Sequence, residues 1–250
     1  MDKTFYERPQ GTYAERRRAF LAFSAAQAPG ERTGFFSQLS RLALGQRPVD
    51  EAPFREALAI IADKRDCTDF SVAGLLRLLY RYRESPLLPR ELLAAIEESV
   101  LGFKYWWDEP GPDLRCYHTE NHQIIFHADE LLAGQLYRDR VFPNSGLDGA
   151  AHIAHARPRI DRWFDYRTRF GFSEWLSNCY IDEDLLALAN LHDFAEDPAL
   201  RARAKAFIDY LLLEMALHSH RGALGSTHGR SYVAQITGAR AENTSGLARL

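Results

Sequence analysis

Histidine and tryptophan are absent from the first hundred residues of the chain. All nine histidines lie at or beyond His118, and all four tryptophans lie at or beyond Trp106. Imidazole supplies acid–base chemistry near neutral pH and indole supplies aromatic binding surface, so a site built on either side chain is excluded from the N-terminal part. We therefore predict that residues 1–102 form scaffold helices and that residues 103–232 carry the functional site.

Cysteine is also scarce, with only Cys67, Cys116 and Cys179 present. An odd number without metal-ligand spacing argues against both a disulfide framework and a cysteine metal site. The N-terminus lacks the apolar core of a signal peptide, and no apolar run is long enough to span a bilayer. These absences predict a cytoplasmic protein with no membrane partner.

Common nucleotide-binding and hydrolase motifs are missing, since no P-loop, GxGxxG, GxSxG or HExxH pattern occurs. The formal net charge of -3 gives no bulk attraction for nucleic acid or for an acidic membrane. His127 shares a predicted helix face with Glu130, and His152 shares one with His155, but neither pair matches a zinc or di-iron pattern. We expect no metal, no cofactor and no nucleic-acid partner.

What is present is a series of helix signals. Hydrophobic residues make up 46% of the chain and charged residues 26%, as in ordinary globular proteins. About nine helices with short connections are predicted, one of them from about Glu120 to Leu136. Residues that can cap helix starts stand at Thr12, Asp50, Asp69, Ser173 and Asp197. The predicted fold is all-α, with antiparallel helical hairpins in a single domain over residues 1–250.

The helix predicted at Glu120 begins with a polar turn. Thr119 is a suitable N-cap, which places Glu120, Asn121 and His122 where unpaired backbone N–H groups and the helix dipole favour an anion. The same field is expected to lower the pKa of His122 and keep its ring neutral. The structural alternative is a well-capped helix whose polar first turn has no chemistry.

The loop before this helix combines aromatic and acidic residues, namely Trp106, Trp107, Asp108 and Asp113. Aromatic rings pack on the apolar face of a sugar while carboxylates bind its hydroxyl groups, so the loop is typical of a saccharide site. The structural alternative is that the two tryptophans close the end of a helical core. Because adjacent residues rarely both face inward, one of them is expected to be exposed or to lie in a cleft.

Two later groups add candidates. Glu174 and Tyr180 follow the predicted cap at Ser173, although capping explains Glu174 more simply and a buried tyrosine is usually structural. His228, Arg230 and Tyr232 lie in a loop with two glycines, which lets backbone approach a ligand closely. Loop residues with donors and a cation are better functional candidates than core residues.

An all-helical scaffold with Glu120-Asn121-His122 at the start of an inner helix, aromatic loops and a later His/Arg/Tyr loop resembles the α/α-toroid enzymes that act on polysaccharides. Among these, the chain is most similar to the Asn/His/Tyr polysaccharide lyases, the alginate lyase and heparinase II/III-like group. The resemblance implies that the helical hairpins form all or part of an (α/α) toroid. It also implies an oligo- or polysaccharide partner, cleaved by β-elimination at a uronate.

The resemblance assigns roles to individual residues. Asn121 would neutralise the substrate carboxylate, helped by the helix N-terminus. His122 would be the base, or would share that work with Tyr232 or Tyr180, which would protonate the leaving oxygen. Arg230 would bind a neighbouring carboxylate.

Two alternatives remain beside the lyase. A glycoside hydrolase of the same toroid type would need two carboxylates. The candidates for that pair are Glu120, Asp108, Asp113 and Glu174. The third interpretation is a non-catalytic helical module or a fragment of a larger enzyme, because residues 242–250 show no helix cap and no end signal. On that interpretation a further C-terminal domain is expected.

Overall fold

The computed structural model describes residues 9–27, 34–46, 49–238 and 242–250. Nine helices of eight residues or more make up most of this described part, so the all-α prediction is confirmed. They are α1 (Tyr13–Ala25), α2 (Phe36–Ala43), α3 (Ala52–Ala62), α4 (Thr68–Tyr82), α5 (Arg90–Leu101), α6 (Glu120–Leu136), α7 (Gly149–Phe170), α8 (Ile181–Phe194) and α9 (Pro198–His218). The short elements are an antiparallel pair, β1 (Ser219–His220) and β2 (Ala223–Leu224), and two helices, α10 (Val233–Thr237) and α11 (Thr244–Leu247).

Several helix starts agree with their sequence signals. Thr12 Oγ1 accepts the Glu15 N–H at 3.3 Å, and Glu15 Oε2 accepts the Thr12 N–H at 2.7 Å, which completes a capping box. Asp197 caps α9 by accepting the Ala199 N–H at 2.8 Å. Helix α6 begins and ends at the predicted residues, with Thr119 at the N-cap position, although the Thr119 side chain makes no capping hydrogen bond. These signals act between close neighbours in the chain, so tertiary packing leaves them unchanged.

The prediction that Asp69 caps α4 is wrong. Cys67 is the N-cap of that helix, and Asp69 lies inside its first turn with no exposed surface. The Asp69 carboxylate Oδ2 lies 2.6 Å from Nδ1 of His122 on α6, a residue 53 positions away in the chain. A buried carboxylate needs a strong donor, and here the imidazole of another helix supplies it.

The prediction that Ser173 caps a helix is also wrong. Helix α8 begins only at Ile181, and residues 173–180 lie in turns. Ser173 donates its N–H and its hydroxyl to Glu120 Oε2 instead, both at 2.7 Å. Asp50 accepts the Ala52 N–H at 3.0 Å, but the cap position of α3 belongs to the next residue. Ser173 is thus occupied by a competing hydrogen-bond partner, whereas the cap of α3 is shifted by one residue from Asp50.

Helix α6 packs against α4, α7 and α8. The apolar stripe predicted for it is fully buried, at Ile124, Ile125, Ala128 and Leu132. Gly134 and Gly149 let α6 and α7 approach closely, since a Cβ on Gly149 would lie 2.5 Å from the Gly134 carbonyl oxygen. The two helices then run antiparallel, and Trp163 Nε1 donates to the carbonyl of Glu120 at 2.8 Å. This hairpin brings the second half of α7 beside the N-terminus of α6.

Helix α7 is the longest in the described part, with 22 residues, and Pro158 lies inside it without dividing it. Its length would suffice to cross a bilayer. However, no helix within the described ranges combines such length with the apolar character of a membrane span. From Arg159 onward, α7 carries arginines, whose charge is stable in contact with water or with a charged ligand.

Candidate functional site

A cleft of about 570 Å³ opens where the loop before α6, the N-terminus of α6 and the second half of α7 meet. Its volume is in the range of small-ligand sites. Four aromatic side chains line it, Trp106, Trp107, Trp163 and Tyr166. Three arginines also line it, Arg159, Arg162 and Arg167. The combination of rings and positive charge favours an anionic ligand with an apolar face.

One face of α7 supplies the charged wall. Five residues recur at helical spacing and therefore lie on the same side of the helix, namely Arg159, Arg162, Trp163, Tyr166 and Arg167. Arg167 Nε is buried and has no hydrogen-bond partner among the described residues. A buried donor without a partner is costly, so a ligand acceptor would stabilise it. Sequence reasoning missed this face, although its spacing is visible in the chain.

The loop before α6 supplies the aromatic wall. Trp106 is 8% exposed and Trp107 is 65% exposed, so only one ring of the pair packs into the core. The ring centroids of Trp106 and His127 lie 4.1 Å apart. Burial, together with the nearby charges of Arg159 and His155, lowers the pKa of His127 to about 3. His127 is therefore a neutral ring in the cleft wall, and its buried Nδ1 has no partner among the described residues.

Glu120 joins three parts of the chain at the floor of the cleft. Its Oε2 accepts hydrogen bonds from the N–H and hydroxyl of Ser173, both at 2.7 Å, and from Arg167 Nη2 at 3.2 Å. Its Oε1 accepts the N–H of Glu174 at 2.6 Å. The Glu120 side chain is only 1% exposed. Four donors occupy the carboxylate, so its role is to position the turns at residues 173–174, and it has little capacity left to act as an acid.

Glu174, Arg230, Tyr232 and Tyr180 form one hydrogen-bonded group beyond this floor. Arg230 Nη1 donates to Glu174 Oε1, and Arg230 Nη2 donates to the Tyr232 hydroxyl, both at 2.7 Å. The hydroxyl groups of Tyr180 and Tyr232 lie 2.8 Å apart. Burial and the Tyr232 hydroxyl raise the pKa of Tyr180, which keeps its phenol protonated. The structure thus brings together residues from both later sequence groups.

Hydrogen bonds between the turn at residues 173–177 and the loop at residues 228–230 hold this group in place. The N–H of Gly229 donates to the Trp175 carbonyl at 2.8 Å, and Ser177 Oγ donates to the Arg230 carbonyl at 2.8 Å. A Cβ at Gly229 would lie 2.8 Å from the Ser173 carbonyl oxygen, so glycine is required there. His228 Nδ1 lies 2.6 Å from the Leu176 carbonyl and contributes to the same set of contacts between the two segments. The predicted candidate His228 is therefore engaged with backbone.

Asn121 and His122 lie apart from the cleft wall. Asn121 has no exposed surface, its Oδ1 accepts the Thr119 hydroxyl at 2.8 Å, and its buried Nδ2 has no partner in the described part. His122 is 5% exposed and pairs with Asp69. Burial lowers the pKa of His122, but the hydrogen bonds and charges of Asp69 and Cys67 outweigh burial and raise the pKa to about 10. The prediction of a lowered pKa for His122 is wrong, because the sequence does not reveal that Asp69 pairs with this ring.

The His122–Asp69 pair predicts a pH dependence of stability. The folded-state pKa of His122, about 10, exceeds its unfolded value of about 6.5. Its contribution is therefore fully present below about pH 6.5 and is lost as the pH rises through the folded pKa. We expect the free energy of unfolding to fall between pH 7 and 10 by up to about 1.4 kcal/mol per pH unit for one proton.

Urea unfolding at several pH values, with His122→Gln as the comparison, measures this contribution. The difference between the two proteins reports His122 together with its contacts Asp69 and Cys67, because the remaining titrating groups are common to both. The same pH slope in both proteins would contradict the prediction.

Asp108 and Asp113 belong to one loop but have different partners. Asp108 Oδ2 accepts from Arg159 Nη2 at 3.0 Å and lies 3.2 Å from His155 Nε2, beside the cleft arginines. Asp113 pairs with Lys104 Nζ at 2.7 Å, and its side chain is only 5% exposed. Asp113 therefore holds the loop together, whereas Asp108 lies next to the charged wall.

Two groups place potential metal ligands within 4.8 Å of one another, Glu109 with Glu130 and His152, and Asp66 with Cys67 and His122. In the first group, Glu130 Oε1 lies 2.8 Å from His152 Nδ1 and 2.7 Å from His155 Nδ1. These hydrogen bonds engage Glu130 Oε1 without an ion, whereas the buried Oε2 has no partner among the described residues. The absence of a metal stays a prediction.

Comparison of the chain with protein-family models, with curated proteins and with solved structures finds no match. The site is therefore interpreted from its own residues. The structure gathers Trp106, Trp107 and Glu120 at the cleft, and it links Glu120 through residues 173–174 to Arg230 and the tyrosine pair.

Proposed function

We propose that the chain cleaves an anionic polysaccharide by β-elimination at a uronate. The observation that carries this proposal is the cleft in which three arginines and four aromatic rings meet. Arginines bind carboxylates in pairs of hydrogen bonds, and indole rings pack on sugar faces. The unpartnered Nε of Arg167 supports a carboxylate in the same place.

A fold of the (α/α) toroid type belongs to the proposal. Helices that are consecutive in the chain pack together, as α1 with α2, α6 with α7 and α8 with α9. Such hairpins are the building unit of a toroid. The cleft at the N-terminus of α6 then lies at one end of the helices, where a long polymer has access.

The tyrosine pair supplies the acid–base chemistry of the proposed reaction. A base removes the proton on C5 of the uronate, the C–H electrons form the C4=C5 double bond, and the C4–O4 bond breaks. Tyr232 is proposed as the base, since it is 48% exposed and its hydroxyl oxygen accepts a hydrogen bond from Arg230 Nη2 at 2.7 Å. Tyr180, whose raised pKa keeps it protonated, is proposed to donate the proton that O4 receives.

This assignment moves the base from His122 to Tyr232. The raised pKa of His122 keeps its imidazole charged at neutral pH, and a charged imidazole cannot accept a proton. Asn121 is fully buried, so the cleft arginines are proposed to take over neutralisation of the substrate carboxylate.

The test is to incubate the full chain with uronate and neutral polysaccharides while ultraviolet absorbance and new reducing ends are followed together. Absorbance that rises with uronate polymers only is the expected result, because elimination leaves a conjugated double bond. New reducing ends without absorbance would support a hydrolase, for which Glu174 is the best candidate because its buried Oε2 has no partner in the described part. Neither signal from folded protein would favour a non-catalytic module.

A further inference from the structure

The adjoining N-termini of α4 and α6 bring together a cysteine, a histidine and an aspartate, with the histidine between the other two. Cys67 Sγ lies 4.0 Å from His122 Nε2, and His122 Nδ1 lies 2.6 Å from Asp69 Oδ2. We propose that these three residues form a second site, in which Cys67 is a nucleophile that accepts an acyl group from an ester. This site is separate from the polysaccharide cleft and does not depend on the proposed function.

The geometry matches the three roles that nucleophilic catalysis requires. Nε2 of His122 faces the sulfur, and the opposite nitrogen is held by a carboxylate that has no exposed surface. The His122 ring also stacks on Phe70 with centroids 5.1 Å apart, which fixes its plane. A separation of 4.0 Å between sulfur and nitrogen is within the looser range of sites without substrate.

Cys67 occupies a position that suits a nucleophile. It is the N-cap of the 15-residue helix α4, its side chain is partly exposed, and its backbone φ is +60°. Asp66 Oδ1 holds this turn by accepting the N–H groups of Cys67 at 2.9 Å and Cys116 at 2.8 Å. The dipoles of α4 and α6 both point their positive ends at this place, where they stabilise a developing oxyanion.

The proposed step transfers one acyl group. The Cys67 sulfur attacks the ester carbonyl and forms a C–S bond, and the C–O bond to the alcohol breaks. His122 holds the thiol proton and returns it to the departing oxygen, which leaves a neutral thioester. After His122 has given this proton to the alcohol, its ring is neutral and can accept a proton from the water that hydrolyses the thioester. Asp69 is a positioning residue, because it acts on the reaction only through the His122 ring.

The other cysteines provide comparators within the same molecule. Cys116 Sγ lies 3.4 Å from His118 Nδ1, but no carboxylate bonds to His118 among the residues that the structure describes. Cys179 is buried beside Ser177. The three thiols can therefore be compared in the same sample. Only Cys67 faces a histidine that a carboxylate holds in place, among the residues that the structure describes.

The experiment treats the full chain with p-nitrophenyl acetate at pH 7 and follows acetylation of each cysteine by peptide mass spectrometry. We expect Cys67 to acetylate at least about tenfold faster than Cys116, and Cys179 to remain unmodified. We expect His122→Gln to lower the Cys67 rate at least about tenfold while Cys116 is unaffected. Equal rates at Cys67 and Cys116 in the wild-type chain would overturn the proposal.

A second measurement avoids reliance on a buried substitution that could unfold the chain. The acetylation rate of an ordinary thiol rises about tenfold per pH unit below its pKa, whereas an imidazole-paired thiol is expected to react at a nearly constant rate between pH 6 and 8. Asp69→Asn is expected to restore the steep profile at Cys67, which a merely structural role for Asp69 would not do. A steep wild-type profile at Cys67 would overturn the proposal even if the variants fail to fold.

Discussion

Tyr232→Phe is expected to lower the rate of polysaccharide cleavage by about 10²- to 10⁴-fold, the range that a general acid or base contributes. The substitution removes only the hydroxyl that lies 2.7 Å from Arg230 Nη2 and 2.8 Å from the Tyr180 hydroxyl. The base of the proposed elimination is lost, while the cleft arginines that are proposed to bind the substrate are unchanged. We therefore expect kcat to fall and KM to stay within about threefold of the wild-type value.

The matched control for this variant is Tyr13→Phe. Tyr13 is 61% exposed on α1, and the same hydroxyl is removed there without effect on the site. Because Tyr232 is 48% exposed, its variant should unfold at the same urea concentration as the wild type. Activity in Tyr232→Phe close to that of Tyr13→Phe would remove the tyrosine pair from the mechanism. A rise in KM with unchanged kcat would instead indicate a binding role for Tyr232.

Glu120→Ala is expected to lower the free energy of unfolding by about 3–5 kcal/mol, as when one partner of a buried ion pair is removed. Arg167, whose side chain is 8% exposed, loses its carboxylate partner at 3.2 Å. The N–H groups of Ser173 and Glu174 lose their acceptors at the same time. Since buried donors without acceptors are costly, the turns at residues 173–174 should detach from α6.

Urea unfolding followed by circular dichroism measures the loss for Glu120→Ala. Glu51→Gln is the control, because Glu51 pairs with Arg55 at 2.6 Å on the exposed surface of α3, and its loss should cost less than about 1 kcal/mol. Saturating amounts of a uronate oligosaccharide should restore less stability to Glu120→Ala than to the wild type, because the arginine wall is disturbed. An effect no larger than that of Glu51→Gln would show that Glu120 is not a central support of the site.

Local sequence determined most of the helices. The capping box at Thr12, the Asp197-Pro198 start of α9 and the bounds of α6 all follow from residues close together in the chain. The buried stripe of α6 follows from helical periodicity in the same way. Such features involve residues within one or two turns of each other, so the sequence by itself is sufficient to place them.

Tertiary structure decided what the polar residues do. Asp69 and Ser173 have the chemistry of N-caps, yet their stronger partners are His122 and Glu120, each 53 residues away in the chain. The pKa of His122 is raised and not lowered for the same reason, because hydrogen bonds and charges from the distant residues Asp69 and Cys67 outweigh burial. A single sequence holds no signal for such a distant pairing.

The candidate site shows the same division. The sequence alone placed all four tryptophans in the second part of the chain, and the aromatic and acidic residues of the loop before α6 pointed to a saccharide. Only the fold joined the turns at residues 173–180 to Arg230 and Tyr232, and only the fold set the arginine face of α7 against Trp106. Helix propensity and capping are properties of neighbouring residues, whereas a cleft depends on how separate helices pack, and that packing is fixed by contacts between distant parts of the chain.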